Sequence, residues 1–471
     1  MQRFLVSAAH KSSGKTTLSI GLAAALRARG LAVQPYKKGP DYIDPLWLAA
    51  AAGRACYNLD FHLSTGPQLC AQFAGHGYNA DVCLVEGNKG LYDGLDVAGS
   101  NSNAALARLL DLPVVLVLDA RGMTRGIAPL ILGYQAFEPD LNIAGVILNR
   151  LGGSRHEAKL RAVIEHYTDI PVLGAVQEDA ELAVSERHLG LIPANESTDV
   201  AARIAAIGTR IAAQVDIDRL LAVTHDDRAL PTPLPQKTAA KAKVTTTPLR
   251  IAIARDAAFG FYYADDLEAF AAAGAQLLPF DTLHDTHLPD ADGLFIGGGF
   301  PESFLDALEA NSSLRQDIRN AIATGLPTYA ECGGLMYLAR SIAWNGRQRQ
   351  MVGAVDGDVV MHPKPVGRGY VKLEVQAGHP WLAPGATIAA HEFHYSSLDN
   401  VPADSRYAYR MQRGYGIDGH GDGIVHNNLL ASYTHLRSSV ACDWVTGFVD
   451  FVRACKKGRA ASQPEQRLCS I

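Results

Sequence analysis

The chain has 471 residues, 48% of them hydrophobic and 19% charged, with a formal net charge of −5. That length exceeds what one core holds and calls for two domains, with room for a third. The composition is that of an ordinary soluble protein without the basic blocks that a nucleic-acid partner needs, and its longest apolar runs, such as Pro113–Leu118, are too short to cross a membrane.

The seven cysteines (Cys56, Cys70, Cys83, Cys332, Cys442, Cys455, Cys469) are scattered, and no CxxC pair occurs. Neither a zinc site nor a disulfide framework is indicated. A strand begins within three residues of the N-terminus, which leaves no room for a signal peptide. The expected setting is a reducing cytoplasm.

Arg3–Ala8 reads as a buried parallel strand. It runs into Ala9-His-Lys-Ser-Ser-Gly-Lys-Thr-Thr17 and then a helical pattern, Leu18–Arg29. Strand, glycine loop, Lys-Thr and helix together make a phosphate-binding loop, here with Ala9 in place of the usual first glycine. Backbone N–H groups of Ser13, Gly14, Lys15, Thr16 and Thr17 would cradle the phosphates of ATP at the helix N-terminus. Lys15 would neutralise phosphate oxygens and Thr16 would ligate Mg2+.

A second strand is expected from Val33 to Tyr36, followed by Lys37-Lys-Gly-Pro-Asp-Tyr-Ile-Asp44. Loops at the carboxyl ends of parallel strands are where α/β proteins bind ligands. Lys37 or Lys38 could meet an anion there, and Asp41 or Asp44 a metal; a solvated turn is the plain alternative. Val82–Val85 is a third strand, with Glu86 at its carboxyl end as a magnesium ligand and Asp93 on the glycine-rich loop beyond. Pro113–Asp119, Ile143–Asn149 and Pro171–Val176 continue the alternation of strands and helices. Asn149 either reads an adenine edge or simply forms a turn.

Residues 1–222 are thus expected to form one domain and residues 223–247, rich in Pro, Thr and Lys, a linker. Residues 248–455 form the second domain and residues 456–471 a polar tail. The second domain restarts the rhythm with a strand at Leu249–Ala254, a helix at Asp265–Ala273 and strands at Gln276–Phe280 and Gly293–Ile296. Both domains are expected to be doubly wound α/β units on mostly parallel sheets. The loop Gly297-Gly-Gly-Phe-Pro-Glu302 frees backbone N–H groups for an oxyanion hole, through Gly298, Gly299 and Phe300. In Leu326-Pro-Thr-Tyr-Ala-Glu-Cys-Gly-Gly-Leu-Met-Tyr-Leu338 a short strand turns sharply at Cys332 into a helix, with Gly333 behind it. A cysteine so placed is a nucleophile if a histidine can reach it. His391, His394 and His435 are the candidates, and spacing does not choose among them.

These segments, with Asn58-Leu-Asp60, Glu86-Gly-Asn-Lys-Gly-Leu-Tyr-Asp-Gly94, His391-Glu-Phe-His-Tyr-Ser396 and Ala431-Ser-Tyr-Thr-His435, resemble the cobyrinate a,c-diamide synthase family from about Phe4 to about Val452. The resemblance implies a dethiobiotin-synthetase-like ATP domain fused to a flavodoxin-like class I glutamine amidotransferase domain. It implies ATP-dependent amidation of the a and c carboxylates of a corrin ring through an acyl phosphate, with glutamine as nitrogen donor and a sheltered route for ammonia. It makes Cys332 the nucleophile and His435 its base, with no acidic third member. It also implies Mg2+ held by Thr16, Asp44 and Glu86, and acid activation helped by Lys38, Asp41 and Asp93. Many relatives read His-Leu-His after the base, where this chain has His435-Leu-Arg437. Hydrogenobyrinic acid or a nickel sirohydrochlorin would suit the same motifs as substrate. From another class, a partition-type ATPase would have its extra lysine where His10 stands, and would need neither Cys332 nor a second domain. Oligomeric state is not legible.

Overall fold

All but the first of the seven residues of the opening strand are buried, as a strand covered by helices on both faces requires. In the computed structural model, which describes residues 1–179, 186–187, 190–226 and 248–462, this strand, β1 (Gln2–Ala8), is the centre of a seven-stranded sheet. The others are β2 (Val33–Lys38), β3 (Tyr57–Leu59), β4 (Val82–Glu86), β5 (Val114–Asp119), β6 (Ile143–Leu151) and β7 (Val172–Gln177). Their order is β3-β2-β4-β1-β5-β6-β7, and every pairing is parallel. The carboxyl ends of β1, β2, β4 and β6 therefore share one edge, which gathers the phosphate loop, the Lys-Asp loop, Glu86 and Asn149.

Helix α1 (Lys15–Ala28) follows β1 and packs against the helix Val200–Gln214. Small residues set that distance: a Cβ on Gly21 would fall 2.3 Å from Ile211 Cγ1. Phe4, Val6, Leu22, Leu26, Trp47 and Ile207 lie in the core between this helix layer and the sheet. Burying each such side chain is worth about 1.5–3 kcal/mol. The strand expected to end at Tyr36 continues to Lys38, because Lys37 pairs with Glu86 and Asn58, and Lys38 with Leu59. The stretch expected to open the linker folds back: Gln2 bridges to His225, and Arg3 forms an ion pair with Asp226. Residues 227–247 of that expected linker lie outside the described residues.

The chain divides into two compact units, Met1–Gln236 and Lys237–Ile471. The second is built on nine strands in the order Ala275–Phe280, Leu249–Ala254, Gly293–Ile296, Thr328–Glu331, Leu429–Ser432, Gly421–His426, Arg406–Arg413, Gly367–Val375 and Thr387–His394. The first five are parallel and the remaining four antiparallel. One face is closed by Leu335, Tyr337 and Ile342 and the other by Phe270, Trp444 and Phe448. The final helix, Trp444–Ser462, runs into the expected polar tail, whose last residues, with Cys469, are outside the described ones. Among the described residues no helix is long and apolar enough to cross a membrane.

Candidate active sites

The phosphate loop depends on Gly14. Its φ of 87° is left-handed, and a Cβ there would lie 2.2 Å from Asn149 Nδ2. Asn149 Nδ2 donates to the Ser13 carbonyl at 2.8 Å, and Ser13 Oγ donates to the His10 carbonyl at 2.8 Å. The asparagine considered for adenine thus braces the loop through its amide nitrogen. It lies within β6 rather than in a turn.

Lys15 begins α1 and is buried, with Nζ 2.6 Å from the Lys89 carbonyl. Burial, reinforced by neighbouring Lys37, pushes its pKa down to about 8. Thr16 Oγ1 donates to Glu86 Oε1 at 2.7 Å and lies 3.3 Å from Asp44 Oδ2; Thr17 follows on the same turn, half-buried. Lys37 Nζ sits among the acids, 2.6 Å from Asp44 Oδ2, 3.0 Å from Glu86 Oε1 and 3.9 Å from Asp41 Oδ2. Burial opposes its charge, but the three carboxylates outweigh it and raise the pKa. Glu86 is wholly buried, which lifts its pKa to about 7, and its Oε2 has no hydrogen-bond partner. Asp41 Oδ1 accepts from the N–H groups of Ile43 and Asp44 and so caps helix α2 (Ile43–Ala52). Burial, with Asp44 alongside, raises its pKa to about 6.

Two expected residues stand apart from this group. Lys38 Nζ lies 3.1 Å from Asn88 Oδ1, with its pKa pushed to about 8 by burial. Asp93 Oδ2 accepts from Gly90 N–H at 2.8 Å and closes its own loop. The buried Asn103, not singled out from sequence, holds that loop by donating to Ser7 Oγ and the Gly90 carbonyl.

Among the described residues no set of three or more His, Cys, Asp or Glu is arranged to hold a metal alone. A hydroxyl and two carboxylates, one with an unpartnered oxygen, nevertheless suit Mg2+, which takes a few protein oxygens and completes its shell with phosphate and water. A cation already occupies this place, as the Lys37 ammonium.

In the second unit the strand Thr328–Glu331 lies between Gly293–Ile296 and Leu429–Ser432. Residues just past its end therefore meet the Gly298 loop on one side and His435 on the other. Cys332 has φ 48°, a strained turn for a non-glycine residue, and its N–H donates to the Ser432 carbonyl at 2.7 Å. The short helix Gly333–Leu338 starts immediately after it. A Cβ on Gly333 would lie 2.9 Å from both Gly299 N and O, so the turn and the glycine loop are in direct contact. Gly298–Gly299 is not a free loop but a short strand paired with Phe259–Phe261. Gly297 N–H donates to Tyr262 Oη at 3.1 Å, Phe300 N–H donates to the Ala258 carbonyl at 3.0 Å, and the Phe300 ring packs edge-on against Phe261.

His435 is buried with the Cys332 thiol as a hydrogen-bond partner. Burial works against its charge, but Cys332 and Glu331 together raise its pKa to about 10. His391 stacks on it with ring centres 4.9 Å apart, and the two exchange backbone hydrogen bonds. His394 is turned to the Ser396 carbonyl and stacks on Tyr433. Arg437 pairs with Asp265 at 2.7 Å and lies over Tyr263. Sequence reasoning missed Glu331, Tyr262 and Asp422. The Asp422 carboxylate accepts from the N–H groups of Tyr433 and Thr434 and fixes the approach to His435.

A buried thiol beside an imidazole, with backbone N–H groups at hand, is equipped for acyl transfer, and the first unit is a nucleotide-binding domain. Residues 250–439 match the family described as CobB/CobQ-like glutamine amidotransferase domain, and residues 5–192 that described as CobQ/CobB/MinD/ParA nucleotide binding domain. The chain is a glutamine-dependent amidating ligase. It is 44% identical over 453 residues to the cobyrinate a,c-diamide synthase of Magnetococcus marinus, covering 96% of this chain and 97% of the relative. It is 40% identical over 488 residues to that of Methanosarcina acetivorans, covering 98% and 97%. A solved glutamine amidotransferase overlaps 43% of this chain and 98% of its own, at 14% identity and a TM-score of 0.31. The chain belongs to the cobyrinate a,c-diamide synthase family.

Proposed function

We propose that this chain amidates the a and c side-chain carboxylates of cobyrinate in cobalamin synthesis, using ATP and glutamine. The observation that carries this reading is the likeness to relatives of that name over nearly the whole of both chains.

At the cysteine site, the Cys332 proton rests on His435, and the thiolate sulfur attacks the glutamine carboxamide. Backbone N–H groups around Gly298, Gly299 and Gly333, beside Phe300, stabilise the oxyanion. The C–N bond breaks as the nitrogen receives a proton from His435, giving a thioester and ammonia. Water then gives its proton to His435 and attacks the thioester, which releases glutamate and restores the thiolate beside the protonated imidazole.

At the nucleotide site, Ser13, Gly14, Lys15, Thr16 and Thr17 hold the phosphates, and Lys15 screens their charge. Thr16, Asp44 and Glu86 would hold Mg2+, which supplies charge neutralisation on the phosphates when bound. Lys37 would balance charge as the phosphoryl group is transferred, and Lys38, Asp41 and Asp93 would help to orient the substrate acid. A substrate carboxylate accepts the γ-phosphoryl group, and ammonia displaces phosphate from the resulting acyl phosphate.

The test is an assay with ATP, glutamine and cobyrinate, read by mass. Two successive losses of about one mass unit, each replacing O–H by N–H2, are expected. Product from hydrogenobyrinate or a nickel sirohydrochlorin, and none from cobyrinate, would reassign the substrate.

A further inference from the structure

The position two residues after His435 offers no carboxylate to the imidazole. Arg437 stands there, committed to Asp265. A carboxylate reaches the ring from elsewhere. Glu331, the residue before the nucleophile, has Oε2 3.4 Å from His435 Nδ1, and both side chains are 4% exposed.

We propose that Glu331 is the positioning residue for His435, holding the imidazole with Nδ1 toward its carboxylate and leaving Nε2 for the Cys332 thiol. The carboxylate is itself fixed. Oε1 accepts from Tyr329 Oη at 2.6 Å and from the N–H of Leu436, the neighbour of His435, at 2.8 Å. Two hydrogen bonds on Oε1 hold the carboxylate with Oε2 on the side of the ring. The imidazole is held from its other sides by the stacked His391 and by the backbone pair between the two histidines. The other titratable groups nearby are engaged: Tyr263 Oη lies 3.3 Å from His391 Nδ1, Arg437 is on Asp265, Asp266 accepts from Ser438 N–H, and Asp422 is on backbone N–H groups.

The physical consequence is a fixed tautomer and a stabilised imidazolium. The proton given up by Cys332 rests on Nε2, so the ring is cationic and Glu331 balances the charge while remaining ionised. The same proton then leaves with the departing nitrogen. The strained turn at Cys332 makes the arrangement possible, because a single peptide carries the acid and the nucleophile to the same imidazole.

The experiment is glutamate release by the purified full chain across pH, comparing wild type, Glu331→Gln and Glu331→Asp. Gln can still accept from Tyr329 and Leu436 but turns an amide toward Nδ1. In Glu331→Gln, kcat is expected to fall about 100-fold or more with KM for glutamine within about threefold, by analogy with loss of a triad carboxylate. The alkaline limb of kcat/KM should move to lower pH, since the charge that keeps the proton on His435 is gone. Glu331→Asp should return that limb toward its wild-type place, and it serves as the informative variant should Gln not fold. In Glu331→Gln, glutamate release within about threefold of wild type, or a loss with the alkaline limb unmoved, overturns the proposal, as does an alkaline limb displaced to lower pH in Glu331→Asp, which keeps the charge. The inference rests on Cys332 and His435 being nucleophile and base. If that reading fails, it fails separately, as a His435→Gln variant that still hydrolyses glutamine.

Discussion

Replacing Gly298 with alanine adds one methyl group between the glycine loop and the imidazole. The new Cβ would stand 2.6 Å from His435 Cε1 and 3.3 Å from Phe261 Cβ. Carbon atoms rest at about 3.5–4.0 Å, so the ring must retreat by about 1 Å. It has little freedom to do so, because its backbone is paired with His391 and its Nδ1 faces Glu331. A shift of about 1 Å in a reacting group costs about 100-fold in rate, equivalent to about 2.7 kcal/mol of barrier. Gly298 does not have a left-handed φ, so alanine meets no backbone strain there. The fold should survive an overpacking cost of about 1–3 kcal/mol. The neighbouring Gly299 is different, since a Cβ there would lie 1.9 Å from the Ala258 carbonyl oxygen, and its replacement should damage the fold itself. The assay is glutamate release beside ATP-driven amidation supplied with an ammonium salt. In Gly298→Ala the first should fall about 100-fold and the second should be unchanged. A glutamine rate within about threefold of wild type would refute the placement of His435 against this loop.

Two further outcomes follow from the buried charges. Lys37→Met leaves Asp41, Asp44 and Glu86 without their shared cation, a loss of about 3–5 kcal/mol for a broken buried pair. Thermal unfolding should show the drop, and Mg2+ should restore part of it if Thr16, Asp44 and Glu86 form its site; a melting temperature that ignores the metal contradicts that assignment. His435 has a folded pKa of about 10, above its ordinary value near 6.5, so the folded state holds the extra proton between these values. Its contribution to stability is therefore complete below about pH 6.5 and is lost as pH rises through about 10. Denaturant titrations of wild type and His435→Gln should converge over that window, and a gap that widens with pH would show the sign to be wrong.

The phosphate loop and the cysteine turn were legible because each is written in one continuous stretch, where residue type and backbone conformation are set together. Lys37 and Lys38 were harder. Two adjacent lysines read as a loop, yet both are in β2, because charge on nearby Asp44 and on Glu86, distant in sequence, offsets the burial of Lys37. The antiparallel half of the second sheet was not foreseen. In Gly367–Val375 and Arg406–Arg413 many residues face solvent, so neither presents the continuous apolar run that marks a buried parallel strand. Spacing left three histidines open, and the pairing of Leu429–Ser432 beside Thr328–Glu331 is what brings His435 to the thiol. Glu331 was hidden for a similar reason. Its importance lies in contact with Leu436, more than a hundred residues away, and nothing local to Ala330-Glu-Cys332 marks it.

The division of labour between the two units is decided by Cys332→Ala, assayed with ATP and cobyrinate and with either glutamine or an ammonium salt as nitrogen source. Glutamine should give no amide while ammonium gives it at the wild-type rate. An enzyme that still uses glutamine, or one that ammonium cannot rescue, would contradict nitrogen being freed at this thiol and consumed at the nucleotide site.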